Sequence, residues 1–390
     1  MSKTPKMLFT VTEDWAFCSH RLPTAFAARA AGYDVVVVAR MDEHQKQIEA
    51  LGFRTVPWAI KRESLNPFSE LSALLDLIRI YKQEKPDVSY HVAVKSIMYG
   101  SVAARRAKVA KTVNLFSGMG VVFISDAFKF RMIRTIITPI LRWALSPKLS
   151  RLQVQNDDDK ALLNGLGVST PDRTDLIFGS GLDMENFPFT PEPNVGGEPN
   201  VGGEPENTIP KALLVSRMLW DKGIGELMQA ARLLKSRGVK IDIELVGAPD
   251  PANPASISEA QLKAWQDEGL MTWLGQRSDI AELIKNSHIA VLPSYREGMP
   301  RSLLEAASIG RPLVAFDTPG CRDLVRDEKN GLLLEFKEIN ALARALERLA
   351  TDPKLRQRLG KQAHKDIKTK YCDKAIQAQL QSIFETLKQE

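Results

Sequence analysis

The stretch Ala290-Val-Leu-Pro-Ser-Tyr-Arg-Glu297-Gly-Met-Pro-Arg-Ser-Leu-Leu-Glu305-Ala-Ala decides the fold of the C-terminal half of the chain. Its first residues predict a buried strand that ends at Pro293, and Glu297-Gly298 fall on the loop that follows. Pro300 then predicts the start of a helix, because the first helical position needs no N–H donor. A strand, a glycine-containing loop and a helix N-terminus in this order form a site for a diphosphate.

Two carboxylates, Glu297 and Glu305, lie on either side of this helix start. Because a carboxylate repels a phosphate, we expect both side chains to bind hydroxyl groups at the two ends of the diphosphate. Those hydroxyls belong to a ribose on one side and a sugar on the other. The spacing is therefore typical of a nucleotide-sugar site.

Both halves of the chain alternate short apolar runs with helical patterns. In the C-terminal half, strands are predicted at 212–216, 241–246, 271–273, 289–292, 312–316 and 331–334, and helices at 224–236, 280–286, 301–309 and 341–351. In the N-terminal half, strands are predicted at 7–11, 35–39, 53–57, 88–91, 112–116, 152–155 and 176–178, and helices at 22–31, 71–83 and 99–108. This alternation predicts an α/β chain of two doubly wound, Rossmann-like domains that face each other across a cleft.

A change in composition separates the two predicted domains. The hexamer Pro-Asn-Val-Gly-Gly-Glu at 193–198 is repeated at 199–204, and its proline and glycine content predicts a flexible linker. We therefore predict an N-terminal domain at 1–190, a linker at 191–208 and a C-terminal domain at 209–368. Residues 369–390 predict a helix that returns to the N-terminal domain.

Composition limits the classes of protein that fit. The chain has 390 residues, 44% of them hydrophobic, which is enough for two cores. Its net charge of +6 suits an anionic partner, but no zinc-ligand spacing or aromatic RNA-binding pattern supports nucleic acid. Three widely spaced cysteines predict a reducing cytosol, and no signal peptide or membrane-spanning run is expected.

Basic side chains follow the first strand of the C-terminal half. Arg217 and Lys222 either neutralise a diphosphate leaving group or are solvated surface residues, and the downstream carboxylates favour the first interpretation. Gly247 and Gly275 end the next two strands. They either line a base pocket or are simple turn glycines.

Taken in order, these segments resemble a known family. Four segments resemble the donor domain of retaining glycosyltransferases of family four, which have the GT-B fold. They are Ser216-Arg-x₄-Lys-Gly223, Leu245-Val-Gly247, Leu274-Gly-x-Arg-x-Asp279 and Leu292-Pro-Ser-x-x-Glu-Gly-x-Pro-x₄-Glu-Ala306. The stretch 179–187 resembles the end of the first domain in that family. The N-terminal half, through 64–68, Lys95-Ser96 and Gly118-Met-Gly120, is most similar to bacterial enzymes that extend undecaprenyl-diphosphate-linked saccharides, such as N-acetylgalactosaminyltransferases.

The resemblance implies a role for each matching residue. Arg217 and Lys222 would hold the diphosphate, Glu305 the ribose and Glu297 the transferred sugar, so Arg217, Lys222 and Glu297 are the predicted catalytic residues. Other predicted donor-binding residues are Gly247, Arg277, Gly298, Met299, Pro300, Arg301, Ser302 and Leu303. The family further implies front-face attack assisted by the departing phosphate. Because Arg217, Lys222 and the helix amides would carry the charge of the leaving diphosphate, we expect neither a cofactor nor a metal to be required.

The predicted acceptor-binding residues are Arg21, His91, Lys95 and Gly118. The chain departs from the family in its first loop, where Phe17-Cys-Ser-His-Arg-Leu-Pro23 replaces the usual glycine pair. His91 is equally compatible with a structural role in the protein core.

Residues 128–145 have an amphipathic pattern. The apolar stripe consists of Ile133, Ile136, Ile137, Ile140, Leu141 and Ala144. Arg131, Arg134 and Arg142 group on the other side, and Pro139 predicts a kink or a new helix after Thr138. The stripe belongs either to the core or to an interfacial helix on an anionic membrane.

The sequence thus predicts a retaining glycosyltransferase that moves a hexose or N-acetylhexosamine from a UDP-sugar to a lipid-linked saccharide in bacterial glycan assembly. We expect it to be cytoplasmic and peripheral on the inner face of the plasma membrane, without a nucleic-acid partner. One alternative is a GT-B UDP-N-acetylglucosamine epimerase, which would need carboxylate and histidine residues placed for proton transfer. The other is a sugar-nucleotide-binding protein without turnover.

Overall fold

The computed structural model describes residues 4–60, 66–117, 128–145, 150–193 and 209–389, apart from the side chains of Lys129 and Phe130. The chain forms two compact units: unit 1 contains Met1–Gly181 and Asp373–Glu390, and unit 2 contains Leu182–Cys372. Gly118 and the predicted linker from 194 onward lie outside the described residues. No helix in the described ranges is both long and apolar enough to cross a membrane.

The described part of unit 1 contains a parallel sheet of seven strands in the order β3-β2-β1-β4-β5-β6-β7. The strands are β1 (Lys6–Glu13), β2 (Asp34–Arg40), β3 (Arg54–Pro57), β4 (Val88–Val92), β5 (Lys111–Phe116), β6 (Ser150–Val154) and β7 (Thr174–Leu176). The central strands are apolar on both faces because helices cover both, and Val35 to Ala39 are all buried. The strand order reverses between β1 and β4, so the ligand-binding switch point of this sheet lies there.

The helices of unit 1 differ from the prediction mainly at their N-termini. They are α1 (Asp14–His20), α2 (Leu22–Ala30), α3 (Gln45–Ala50), α4 (Pro67–Glu84), α5 (Ala93–Ala107), α6 (Phe128–Ala144) and α7 (Asp157–Gly165). Residues 17–23, which we expected to form the first loop, lie in the second half of α1, the connecting residue Arg21 and the start of α2. The α4 helix begins four residues before its predicted start, where the Asn66 side chain accepts a hydrogen bond from the Phe68 N–H at 3.0 Å.

The described part of unit 2 repeats this plan with six parallel strands in the order β10-β9-β8-β11-β12-β13. The strands are β8 (Lys211–Val215), β9 (Asp242–Val246), β10 (Thr272–Trp273), β11 (Ile289–Leu292), β12 (Leu313–Phe316) and β13 (Gly331–Leu334). The helices are α8 (Ile224–Ser236), α9 (Glu259–Asp267), α10 (Ile280–Lys285), α11 (Arg301–Ile309), α12 (Cys321–Leu324), α13 (Ile339–Thr351) and α14 (Pro353–Asp366). Here the strand order reverses between β8 and β11. The two doubly wound α/β sheets predicted from the sequence are confirmed.

The boundary between the units lies earlier than residue 190. The segment 182–193 belongs to unit 2, where the buried Arg311 donates to the Thr190 carbonyl at 2.8 Å. The buried Arg356 pairs with Glu192 at 2.8 Å. Buried guanidinium groups need hydrogen-bond acceptors, and Thr190 and Glu192 supply them here. The first described residues of the predicted linker, 191–193, therefore pack as part of unit 2.

The last helix, α15 (Asp373–Gln389), is part of unit 1 and packs against α2. Its Ile376, Leu380, Phe384 and Leu387 are buried in the core that also contains β1 and β2. The Tyr33 hydroxyl donates to the Phe384 carbonyl at 3.2 Å. This apolar face therefore completes the core of unit 1.

The α6 helix runs without interruption through Pro139, so a new helix after Thr138 does not occur. Its apolar stripe divides between two environments. Leu141 and Ala144 are buried against β6, whereas Ile133, Ile136 and Ile140 are exposed. Neither the core nor the surface interpretation of the stripe holds for all of its residues.

Candidate active site

The candidate active site lies at the switch point of unit 2, where the loops after β8 and β11 meet. The backbone N–H of Tyr295, after β11, donates to the carbonyl of Asp221, after β8, at 2.9 Å. On the other side, the Met218 N–H donates to the Ala248 carbonyl, after β9, at 3.0 Å. Three loops at the carboxyl end of one sheet are thus joined by backbone hydrogen bonds, the position at which such sheets bind ligands.

Two predicted catalytic residues meet at this point. The Lys222 ammonium lies 2.7 Å from Glu297 Oε1, and each side chain keeps only about one-seventh of its surface exposed, 14% and 16%. Lys222 ends a short 3₁₀-helix (Trp220–Lys222), and Glu297 is fixed by its N–H, which donates to the Pro319 carbonyl at 3.0 Å. The two oppositely charged groups therefore occupy one partly shielded position.

Two glycines permit this close approach of the loops. Gly223 has φ +71°, and a Cβ atom there would lie 1.9 Å from the Pro293 carbonyl oxygen. Gly320, after β12, has φ +79°, and a Cβ atom there would lie 2.5 Å from the Glu297 carbonyl oxygen. Both backbone conformations favour glycine, and neither position has room for a side chain.

Helix α11 begins directly after this loop, with Pro300 at its N-cap. Gly298, Met299 and Pro300 lie before the helix, and Arg301, Ser302 and Leu303 form its first turn. Among the described residues, no side chain caps this helix start. A helix N-terminus of this kind favours an anion, as the sequence predicted for the diphosphate.

Glu305 lies one turn into α11 and is buried to 9% exposure. Its Oε1 accepts from Arg301 Nε at 2.9 Å. Burial raises the pKa of the Glu305 carboxyl, and the nearby Arg301 opposes this effect. A buried carboxylate with one charged partner retains acceptor capacity for hydroxyl groups.

The remaining predicted donor residues surround an adjacent cavity of about 410 Å³. Arg217, Gly247 and Arg277 line it together with Asp250, Gln276 and Ile280. Arg217 Nη1 lies 2.6 Å from Asp250 Oδ2, and Arg277 pairs with Asp279 at 2.6 Å. Both arginines therefore have carboxylate partners in this structure.

Gly247 is required by its surroundings and is more than a simple turn glycine. It has φ +138°, and a Cβ atom there would lie 1.8 Å from the Ser216 carbonyl oxygen. Its own carbonyl accepts from Trp273 Nε1 at 2.9 Å. The close approach of Gly247 to Ser216 brings the loops after β8 and β9 together as one wall of the cavity.

Two site residues were not found from the sequence. Asp250 follows β9 within Gly247-Ala-Pro-Asp-Pro, and nothing local indicates its partner Arg217. The Tyr295 hydroxyl contacts Glu226 Oε1 of α8 at 2.6 Å, and its ring packs edge-on against Phe336 at 5.1 Å. Tyr295 thereby supports the loop that carries Glu297.

The predicted acceptor residues of unit 1 are placed in different environments. Arg21 lies between α1 and α2, is buried to 5% exposure and donates to the Ser180 hydroxyl at 3.0 Å. Lys95 lies in the first turn of α5 and pairs with Glu70 of α4 at 2.9 Å. These two follow β1 and β4, the strands on either side of the switch point, whereas Gly118 lies outside the described residues.

His91 is a core residue, which corrects its assignment to the acceptor. Its side chain has no exposed surface. Its Nδ1 donates to Asn114 Oδ1 at 2.7 Å, and its Nε2 accepts from the Tyr81 hydroxyl at 3.0 Å. Burial lowers the pKa of His91 to about 4, so the imidazole is neutral and has a structural role.

The geometry of unit 2 can stabilise a departing diphosphate and hold the group attached to it. Lys222 and the start of α11 supply positive potential, and Glu297 and Glu305 supply hydroxyl acceptors on either side. In the described ranges, no group of three or more His, Cys, Asp or Glu side chains could hold a metal ion. This fold and site are typical of enzymes that transfer a sugar from a nucleotide sugar.

Comparison with known proteins agrees with this class. Residues 202–366 match the glycosyl transferases group 1 family, and residues 6–156 match the glycosyl transferase 4-like family. The chain is 30% identical over 347 residues to the N,N'-diacetylbacillosaminyl-diphospho-undecaprenol alpha-1,3-N-acetylgalactosaminyltransferase of Campylobacter jejuni, which covers 89% of each chain. This chain therefore belongs to the group 1, family-four-like glycosyltransferases, and the predicted enzyme class is confirmed.

Further relatives have similar descriptions. The chain is 26% identical over 297 residues to the UDP-Gal:alpha-D-GlcNAc-diphosphoundecaprenol alpha-1,3-galactosyltransferase of Escherichia coli, with coverage of 76% and 74%. Two solved structures have the same fold over 98–99% of this chain. Sucrose-phosphate synthase of Thermosynechococcus elongatus has a TM-score of 0.78 and 20% sequence identity, and 99% of its chain is covered. Anabaena HepE in complex with UDP and glucose has a TM-score of 0.73 and 17% sequence identity, and 100% of its chain is covered. The predicted GT-B fold is confirmed.

Proposed function

We propose that this enzyme transfers a hexose or N-acetylhexosamine from a UDP-sugar to the saccharide of an undecaprenyl-diphosphate-linked acceptor, with retention of anomeric configuration. The observation that carries the proposal is the contact between Lys222 and Glu297 beside the N-terminus of α11. The Campylobacter jejuni and Escherichia coli relatives, whose names specify undecaprenol-linked acceptors, support the acceptor class.

Donor binding changes the ion pairs of the free site. Lys222 and Arg217 are held by Glu297 and Asp250, and a diphosphate would take over as their partner. Glu297 would then accept hydroxyls of the transferred sugar, and Glu305 those of the ribose. Since Lys222 and Arg217 would stabilise negative charge on the departing UDP, they would lower the barrier to bond cleavage.

The transfer assay uses octyl-diphosphate-linked N-acetylglucosamine as acceptor, a panel of UDP-sugars as donors, and mass spectrometry of the product. One UDP-hexose or UDP-N-acetylhexosamine should give an α-linked product. Lys222→Ala should lower the rate by about a hundredfold, because loss of one transition-state partner commonly costs roughly 3–4 kcal/mol. Lys240→Ala, at an exposed lysine of the same unit, is the matched control and should retain the wild-type rate. Equal rates in the two variants would contradict the assignment of Lys222.

We further propose that transfer needs no divalent metal, because Lys222, Arg217 and the α11 N-terminus supply the positive charge at the diphosphate. Activity should persist in excess EDTA. Loss of activity on chelation that is restored by Mg²⁺ or Mn²⁺ would refute this part of the proposal.

The exposed apolar faces of α4 and α6 support a peripheral membrane location. Phe68, Leu71 and Leu75 lie on one face of α4, and Phe68 is 83% exposed. On α6, Phe128 and Ile136 are 77% and 63% exposed. Both helices flank α5 in unit 1, and Arg131 and Arg134 provide positive charge on α6. Apolar side chains beside arginines suit the interface of an anionic bilayer.

Co-sedimentation with vesicles of phosphatidylglycerol and phosphatidylethanolamine tests this location. Arg131→Glu/Arg134→Glu should reduce binding at least tenfold, since each basic residue near an anionic surface contributes about 1 kcal/mol. Lys240→Glu/Lys263→Glu makes the same charge change at exposed positions of unit 2 and should leave binding unchanged. Wild-type protein that stays in the supernatant at low salt would exclude the membrane surface.

A further inference from the structure

The switch point of unit 1 lies between the carboxyl ends of β1 and β4, just as that of unit 2 lies between the carboxyl ends of β8 and β11. The β1 strand runs directly into α1, which is followed by Arg21. The β4 strand runs directly into α5, which carries Lys95 in its first turn. By the same topological rule, a ligand of unit 1 binds between the ends of these two strands.

The backbone at this position is strained. Ala93, the first residue of α5, has φ +66°. A side chain with a Cβ atom in this left-handed region costs about 1–2 kcal/mol, and such residues concentrate at functional sites. The strain supports a ligand site at the β1–β4 switch point.

An exposed tryptophan, Trp15, lies in the first turn of α1, directly after β1. Trp15 is 41% exposed, and its ring meets the His20 ring edge-on at 6.4 Å between centroids. The preceding Asp14 is 1% exposed and accepts hydrogen bonds from the N–H groups of Trp15 and Asp42 at 2.7 and 2.6 Å. This buried carboxylate ties the start of α1 to the loop after β2, so the backbone that carries Trp15 is held in place.

We propose that Trp15 is the platform on which a sugar ring of the acceptor stacks, and that it thereby helps to select a saccharide acceptor. The C–H groups on one face of a pyranose carry partial positive charge, and the face of an indole carries negative charge. A partly exposed indole on a backbone that is already held in place offers that surface at a ligand-binding edge with a small ordering cost. This inference rests on the proposed function, because it assigns a residue to the saccharide part of the same acceptor.

The test measures the KM for octyl-diphosphate-linked N-acetylglucosamine and the KM for the UDP-sugar in wild type, Trp15→Ala and Trp15→Phe. Trp15→Ala should raise the acceptor KM at least fivefold and change the donor KM less than twofold. Trp15→Phe should restore most of the loss because it retains an aromatic face. Trp143→Ala is the control: Trp143 is 52% exposed, lies in the same unit and packs on Arg105 at the C-terminal end of α5.

Isothermal titration of the same analogue in the absence of donor separates this inference from the proposed function. Weaker binding by Trp15→Ala than by Trp143→Ala supports the platform even where wild type transfers no sugar. An unchanged acceptor affinity in Trp15→Ala overturns it. An equal rise of the donor and acceptor KM values, accompanied by a lower Tm, also overturns it, because it shows a structural role.

Discussion

Replacement of Gly320 by alanine tests how closely catalysis depends on the position of the Glu297 loop. Gly320 has φ +79°, and the added Cβ atom would lie 2.5 Å from the Glu297 carbonyl oxygen. A Cβ atom essentially never lies within 3.0 Å of a non-bonded heavy atom, so the two loops must separate by at least the 0.5 Å difference between these distances. A shift of about 1 Å at a reacting group can lower the rate on the order of a hundredfold. We therefore expect kcat to fall by roughly tenfold to a hundredfold.

The stability effect of this variant is calculated separately from its effect on the rate. The left-handed backbone costs an alanine about 1–2 kcal/mol, and the close contact with the Glu297 loop adds about 1–3 kcal/mol. For a unit of this size, each kcal/mol lowers Tm by about 2–4 °C, so the expected loss is roughly 4–20 °C. The fold therefore survives, and kcat can be measured at 25 °C by UDP release.

The matched control is Gly238→Ala. Gly238 has φ +71° but lies in the turn after α8, and a Cβ atom there has no described heavy atom within 4 Å. The two variants share the backbone strain, and only Gly320→Ala contacts the Glu297 loop. Gly320→Ala should lose more Tm than Gly238→Ala because it alone adds a close contact, and its kcat should be far lower. If both variants have the same kcat, the position of the Glu297 loop does not control the rate.

Three further predictions follow from charges and burial. Asp250→Asn removes the carboxylate that holds Arg217 at 2.6 Å. Since an exposed pair contributes about 0.2–1 kcal/mol, UDP should bind up to about fivefold tighter by isothermal titration, and weaker binding would show that Asp250 itself binds the donor. Burial lowers the pKa of His91 from 6.5 to about 4. As pH falls from 6.5 to 4, His91 is therefore protonated in the unfolded state before it is protonated in the folded state, and the free energy of unfolding decreases. His91→Gln should show a smaller loss in urea unfolding between pH 7 and 4.5, and an identical loss would rule out this source. Burial raises the pKa of Glu305, so the contribution of this carboxyl to the free energy of unfolding falls as pH rises through its folded-state pKa. Glu305→Gln should therefore gain Tm relative to wild type from pH 5 to pH 8, and a constant difference would contradict the assignment.

The sequence predicts the positions of Glu297 and Lys222 in the fold because the relevant signals are local. Glu297, Gly298 and Pro300 lie in one strand–loop–helix unit, and their order alone places them at the carboxyl end of a strand. Lys222 follows another strand, and parallel sheet topology brings the two loops together. Their contact at 2.7 Å is thus a consequence of topology as much as of local pattern.

The features that the sequence does not reveal depend on distant partners or on backbone geometry. His91 is neutral and buried because Tyr81 and Asn114, from another helix and another strand, satisfy its ring nitrogens. The α5 helix begins six residues before its predicted start, at Ala93, although Ala93 adopts a left-handed conformation and Val92 offers no capping side chain. Neither property follows from hydrophobic periodicity.

The return of α15 to unit 1 has a consequence for folding during synthesis. Unit 2 consists of one uninterrupted stretch, Leu182–Cys372, so all of its core leaves the ribosome before α15 does. The core of unit 1 lacks Ile376, Leu380, Phe384 and Leu387 until that moment. The half of the protein that is synthesised first is therefore the last to finish its core, and its uncovered apolar groove beside α2 is exposed to chaperones throughout translation.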